Sequence, residues 1–174
     1  MITKTMQDAM NEQIKHELES AYLYLAMAAY FHSLGFDGMA QWMRVQTQEE
    51  MVHAMKFFDH IRDRGGRVEL LALAQPKRDW PSALAAFQES YEHEQFVTSK
   101  INALIKIVAE EADYPAGALL QWFATEQVEE EASTSRIAQM LERIGDSATG
   151  LIMLDRELGK RTFAAPIKTE ASEA

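Results

Sequence analysis

Glu50 and His53 stand three residues apart in the run QEEMVH, residues 48–53. On an α-helix that spacing places a carboxylate and an imidazole side by side, a donor pair well suited to a transition metal. Three more carboxylates, Glu17, Glu94 and Glu130, fall on or beside apolar stripes in the middle of other helical segments, and Gln127 lies one turn before Glu130. Singly, each has an ordinary reading. A Glu on a stripe edge usually reaches for water, and a lone His is more often a hydrogen-bonded core residue. Collectively they differ, because four buried and uncompensated carboxylates cost several kcal/mol apiece, comparable with the stability of a whole domain. Two divalent cations cancel the four charges while His53 ligates in its neutral form. Oxidation to the trivalent state adds two positive charges, which a bridging oxide or two hydroxides cancel. The set is electrically suited to a two-metal redox step, and oxygen-rich donors with one imidazole favour iron or manganese.

Five segments of helical periodicity must position these groups. The first spans about residues 4–33 and stops at Gly35. The second spans about 38–64 and stops at Gly65 and Gly66, with Arg62 and Arg64 at its negative end. The third follows Asp79-Trp80-Pro81-Ser82 and runs to about 112. The fourth begins near Tyr114-Pro115 and ends at Gly145, and a short fifth covers about 147–159. Placing residues 100° apart gives helix one a stripe of Met10, Ile14, Leu18, Ala21, Leu25 and Ala28, with Glu17 on its edge and Tyr24 two turns further along. Met39, Trp42, Phe57 and Ile61 flank Glu50 and His53; Phe87, Tyr91, Ile101, Ile105 and Val108 surround Glu94; Leu120, Phe123, Ile137 and Leu141 bracket Gln127 and Glu130.

The second helix, roughly 27 residues, is ~40 Å long. The linker after it, roughly 16 residues, can span ~50 Å. It can return along the whole bundle and make helix three parallel to helix two, whereas the other connections are short and force antiparallel neighbours. The predicted fold is all-α: a four-helix bundle with a long crossover between helices two and three and a short fifth C-terminal helix. One domain covers residues 1–160, and the tail, 161–174, has little to bury and is expected to be mobile.

Composition narrows the partners. The net charge of -10 argues against nucleic acid and anionic membranes and suits metal cations. With no cysteine, thiolate nucleophiles, disulfides and Cys-based metal sites are excluded, which fits the cytoplasm. The N-terminus MITKTMQDAM has no apolar core of a secretory signal. The longest apolar run, Ala21 to Phe31, is too short to span a bilayer. Being apolar almost all round, it is expected to meet a second protein surface besides its own core.

Dimetal bundles of this kind take one Glu from each of two helices and a Glu-x-x-His from each of the other two. Here Glu17 and Glu94 are the single carboxylates and Glu50-x-x-His53 is one complete pair, but the fourth helix has Gln127-x-x-Glu130 instead.

The segments NEQIKHELES, QEEMVH, YEHEQ and LQWFATEQVEEE together resemble the ferritins, specifically the bacterial non-haem branch, over about residues 1–160. The resemblance implies a first iron held by Glu17, Glu50 and His53, with Glu50 bridging, and a second held by Glu94 and Glu130. Gln127 would lie close by, Tyr24 would supply an electron or a hydrogen bond, and Trp122 is the neighbouring aromatic. It also implies a third iron site at Glu49, Glu126, Glu129 and Glu130. The helical wheel steps Glu130, Glu126 and Glu129 from seam to outer face, a carboxylate path toward the cage interior; the alternative is a plain solvated acidic face. Near relatives separate by composition. A bacterioferritin carries the second Glu-x-x-His, a rubrerythrin carries cysteine pairs, and a DNA-protecting mini-ferritin lacks the fifth helix. Met51 occupies the haem-ligand position of a bacterioferritin, but methionine is also an ordinary gap filler, and haem is not expected.

The function so implied is iron storage and detoxification. A ferroxidase would oxidise Fe(II) with O2 or H2O2 and store ferric oxide inside a hollow homo-oligomeric shell of 24 subunits. Two rivals remain: a diiron carboxylate oxidase or oxygenase acting on an organic substrate, and a structural cage or interaction protein with incidental metals. The acidic patch Glu110-Glu111-Ala112-Asp113 is a candidate lining for a symmetry pore.

Overall fold

The computed structural model describes residues 1–164, and among these the chain forms five helices. They are α1 (Lys4–Ser33), α2 (Asp37–Asp63), α3 (Ala83–Glu111), α4 (Tyr114–Ile144) and α5 (Ala148–Leu158). The boundaries follow local chemistry. Thr3, Ser82, Asp113 and Ser147 each accept a hydrogen bond from a backbone N–H in the first turn of the helix they precede. Gly145, at φ 54°, ends α4 in the left-handed region that glycine enters without penalty.

The crossover runs as its length requires. Ile2 N donates to Arg64 O at 3.2 Å and Arg64 Nη1 to Asp113 Oδ1 at 2.7 Å, so α1 and α4 begin where α2 ends. At the opposite end Tyr30 Oη donates to Trp80 O at 2.8 Å, which puts the start of α3 beside the end of α1. Helices α2 and α3 therefore run parallel. Between these ends the crossover lies along α1, held by Gln7 and Asn11 at its near part and by Glu19 accepting from Ala74 N at 3.2 Å further on.

The apolar core is split in two. One cluster holds Tyr24, Met27, Phe31, Met39, Trp42, Phe87, Ile137 and Leu141. The other holds Met6, Met10, Ile14, Phe57, Ile61, Ile101, Leu120 and Phe123. A buried polar layer separates them, made of Glu17, Ser20, Gln46, Glu50, His53, Glu94, Gln127, Glu130 and Thr134. The α1 stripe differs from the periodicity estimate: Leu25 is 49% exposed, while Glu17 is fully buried. A 30-residue helix wound against two neighbours shifts its buried face by part of a turn, so Tyr24 and Met27 face inward in place of Leu25. Tyr22 and Leu25 form an exposed apolar strip on the outside of α1.

Helix α5 docks on the N-terminus of α2 through a close approach. A Cβ on Gly38 would lie 1.7 Å from the Asp155 carbonyl oxygen, and Asp155 Oδ1 accepts from Met39 N at 2.8 Å. The chain beyond α5 does not leave the bundle at residue 160. Arg161 returns to α2, where its Nη1 donates to Gln46 Oε1 at 2.9 Å. Of the mobile tail expected at residues 161–174, residues 165–174 lie outside the described residues.

Candidate metal centre

Each long helix delivers one buried carboxylate to the polar layer: Glu17 from α1, Glu50 from α2, Glu94 from α3 and Glu130 from α4, none more than 5% exposed. His53, one turn after Glu50, turns Nδ1 to within 3.4 Å of Glu50 Oε2 and 3.8 Å of Glu17 Oε2. Its other nitrogen, Nε2, lies 4.0 Å from Glu126 Oε1. Two sets of side chains could each surround a cation, with ligand atoms within 4.8 Å of one another: Glu17, Glu50 and His53, and His53, Glu126 and Glu130. His53 belongs to both. Edges of Trp122 and Phe123 pack on its ring at 5.5 and 5.6 Å between centroids and fix its plane.

Glu94 is brought to the layer but held differently. Tyr24 Oη donates to its Oε1, and Gln127 Nε2 lies 3.3 Å from its Oε2 and 3.2 Å from its backbone carbonyl. It stands outside both three-residue sets. The remaining acidic residues follow the order of the helical wheel: Glu130 is buried, Glu126 half-buried and Glu129 exposed. Glu49 lies half-buried beside Arg161, whose Nη2 donates to its Oε2. Met51 is on the outside of α2, 44% exposed.

Several residues of the site were missed by sequence reasoning. Gln13 Nε2 donates to Glu17 Oε1 at 2.8 Å, and Gln46 Nε2 donates at 2.8 Å both to Glu50 Oε1 and to Glu130 Oε2. Both glutamines sit four residues before the Glu they hold, a spacing that places them on the same helix face and could have disclosed them. Arg161 carried no such signal.

The electrostatics are those of carboxylates crowded out of water. Burial and the neighbouring Glu50 push Glu17 and Glu130 up to about 8. Burial, with Glu50 and Glu130, pushes Glu94 well above the usual carboxylate range. Burial opposes charge on His53, but Glu50, Glu17 and Glu130 outweigh it and raise the imidazole to about 10. Burial likewise opposes charge on Glu50, yet His53 and Gln46 bring it below its ordinary value. Burial and the surrounding carboxylates raise Tyr24 well above an ordinary phenol, which keeps its proton available to Glu94. Without a cation these shifts favour charge on the Glu50–His53 pair and disfavour it on Glu17, Glu94 and Glu130.

One atom tests whether this layer suits a cation. Glu17 Oε2 is buried and, among the described residues, has no hydrogen-bond partner. An unsatisfied buried oxygen costs about 1–3 kcal/mol, more when charged. A cation held by Glu17, Glu50 and His53 would remove that cost, taking the place of protons on the acids and on His53. Oxygen donors with one shared imidazole match the preferences of iron and manganese.

The profile of the ferritin-like domain matches residues 7–144. The chain is 39% identical over 163 residues to the bacterial non-heme ferritin of Staphylococcus aureus, covering 94% of this chain and 98% of that one. It is 40% identical over 161 residues to that of Bacteroides fragilis, covering 92% and 100%. Among solved structures, the open pore ferritin of the hyperthermophilic archaeon Archaeoglobus fulgidus superimposes with a TM-score of 0.92 at 49% identity, over 93% of this chain and 100% of that one.

Proposed function

The chain belongs to the ferritin-like family, and on that premise we propose that it is an iron-storage ferroxidase. It binds Fe(II) as substrate in the polar layer, oxidises it to Fe(III), and holds the product as ferric oxide inside a 24-subunit cage in the cytoplasm. The observation that carries this reading is the convergence of four buried carboxylates and His53 on one layer, with Glu17 Oε2 left unpartnered among the described residues. Among the described residues, no helix is long and apolar enough to cross a membrane.

The protein's own groups do three things. Glu17, Glu50 and His53 bind the first iron and Glu130 the second, with Glu94 turning from Tyr24 and Gln127 to complete that position, while Glu49, Glu126 and Glu129 join Glu130 in a third position beyond the inner pair. Metal binding releases the protons of the raised acids and of His53, which become available to the oxidant. Two Fe(II) supply two electrons, which with two protons reduce O2 to H2O2, or H2O2 to two waters. Negative charge concentrated away from water favours the ferric product. Glu126 and Glu129 then offer a route of increasing exposure out of the layer.

The rival diiron oxidase needs an apolar pocket for an organic substrate beside the metals. The cavity of about 350 Å³ that reaches His53 is lined by Glu49, Lys56 and Glu126 as well as by Val52, Trp122 and Phe163, a lining better suited to ions. The deciding experiment is stopped-flow absorbance after mixing metal-free protein with Fe(II) and air. A fast phase saturating at about 2–3 irons per chain, then slow growth of soluble ferric oxide, is expected. A fast phase with no soluble mineral, from a monomer or dimer, points to the oxidase instead.

A further inference from the structure

Arg161 lies three residues beyond the end of α5, yet it reaches the edge of the polar layer. Its guanidinium sits 4.4 Å over the ring of the buried Trp42, and Gln41 Nε2 donates to its backbone carbonyl at 3.3 Å. Stacking and that bond leave the planar fork aimed at two acceptors at once. Nη2 pairs with Glu49 Oε2, and Nη1 donates to Gln46 Oε1 at 2.9 Å. Because the Gln46 carbonyl is so engaged, its amide NH2 faces inward, where it donates to Glu50 and Glu130. The segment that follows contributes Phe163 and Ala164 to the wall of the cavity over His53.

We propose that Arg161 is a built-in cation that occupies the charge position of an outer metal site at Glu49, so that metal binds there only by displacing the guanidinium. The inference rests on the reading of Glu49, Glu126 and Glu129 as a metal site beyond the inner pair. With Arg161 in place, Glu49 is neutralised and one of its oxygens is taken. A second cation beside a guanidinium is also repelled. The inner positions, whose carboxylates Arg161 does not touch, fill first, and the outer position fills last. Through Gln46, the same side chain is a positioning residue for Glu50 and Glu130. It holds the amide in the orientation that donates to both when they are ionised. The Trp42 stack and the close packing of Gly38 on Asp155 fix where the chain leaves α5, and hence where the guanidinium lands.

The test is calorimetric titration of the assembled, metal-free protein with Zn(II), which is redox-silent and reads binding without turnover. Wild type, Arg161→Gln and Arg161→Lys are compared, with Arg161→Gln/Glu49→Gln as the control for outer binding. Loss of one charge-assisted hydrogen bond and its repulsion is expected to tighten the third equivalent about tenfold in Arg161→Gln. The first two equivalents should shift less than about threefold, since Arg161 reaches them only through the neutral Gln46 amide. Arg161→Lys keeps the charge at Glu49 and should stay near wild type, and the double variant should lose the third equivalent. An unchanged or weaker third equivalent in Arg161→Gln overturns the inference, as does tightening of equal size in Arg161→Lys. If wild type itself binds no pair of equivalents, the ferroxidase reading fails first and the inference falls with it.

Discussion

Gln13 Nε2 donates to Glu17 Oε1 at 2.8 Å, one turn away on α1, while Glu17 Oε2 is buried without a partner among the described residues. The amide orients the carboxylate through its other oxygen. A cation bound between Glu17, Glu50 and His53 would give that oxygen the partner it lacks.

Glu17→Gln removes the ionisable group while keeping its shape. The metal-free variant should be more stable than wild type by about 1–2 kcal/mol, because a neutral amide replaces a buried acid that resists ionisation. It should also lose one Zn(II) equivalent. Thermal melts in chelator, paired with titration, check both. A variant that is destabilised and binds normally would contradict the assignment of Glu17.

The pH dependence has a definite sign. Glu17 and Glu130 are raised to about 8 in the folded protein, so their folded ionised forms are disfavoured. Their stabilising contribution is full below the unfolded carboxylate pKa and is lost as pH rises through about 8. His53, raised to about 10, acts in the same direction, its contribution waning as pH climbs toward that value. Glu50, lowered, contributes above its unfolded pKa and does not change sign in this window. The denaturant midpoint of chelated protein should therefore fall between pH 6 and pH 9. Zn(II)-saturated protein, whose acids are already ionised and paired, should lose much less.

Gly38→Ala places a methyl group into the Asp155 carbonyl, where 1.7 Å separates them. Backbone on one side leaves no flexible atom to yield, so α5 must shift and the Asp155 cap on Met39 N is lost. A loss of about 1–3 kcal/mol is expected from chemical denaturation. Because α5 carries Arg161 to Glu49, the variant should also change the third Zn(II) equivalent in the direction of Arg161→Gln.

Glu129 is exposed and has no part in the buried layer, yet it extends the series Glu130, Glu126, Glu129 outward. Glu129→Ala should leave the first oxidation of Fe(II) at wild-type rate and alter later turnovers, when ferric product must clear the layer. Sequential additions of iron in stopped flow resolve the two. Unchanged multi-turnover kinetics would remove the outward path.

The helices, their ends and the sense of the crossover were legible in the sequence for local and geometric reasons. Caps such as Ser82 and stops such as Gly145 act over one turn, and the reach of a linker is a matter of length. The inward carboxylates were legible too, because Glu50, His53, Glu94 and Glu130 share faces with Trp42, Phe57, Phe87 and Phe123 at helical spacing. Periodicity misjudged α1, where Leu25 is exposed and Glu17 is central, since the angle at which a helix meets two neighbours is set by packing.

The sequence by itself determined that four helices bring carboxylates to one level, because 3.6-residue periodicity and short turns leave little freedom in where each face points. Only the tertiary structure decided which of those groups meet. It set His53 between Glu17 and Glu126, turned Glu94 to Tyr24, left Glu17 Oε2 without a partner among the described residues, and carried Arg161 across to Glu49. These relationships join residues as far as 112 positions apart. They depend on crossing angles, rotamers and the docking of α5 on Gly38, which are properties of packed surfaces and leave no periodic trace along the chain.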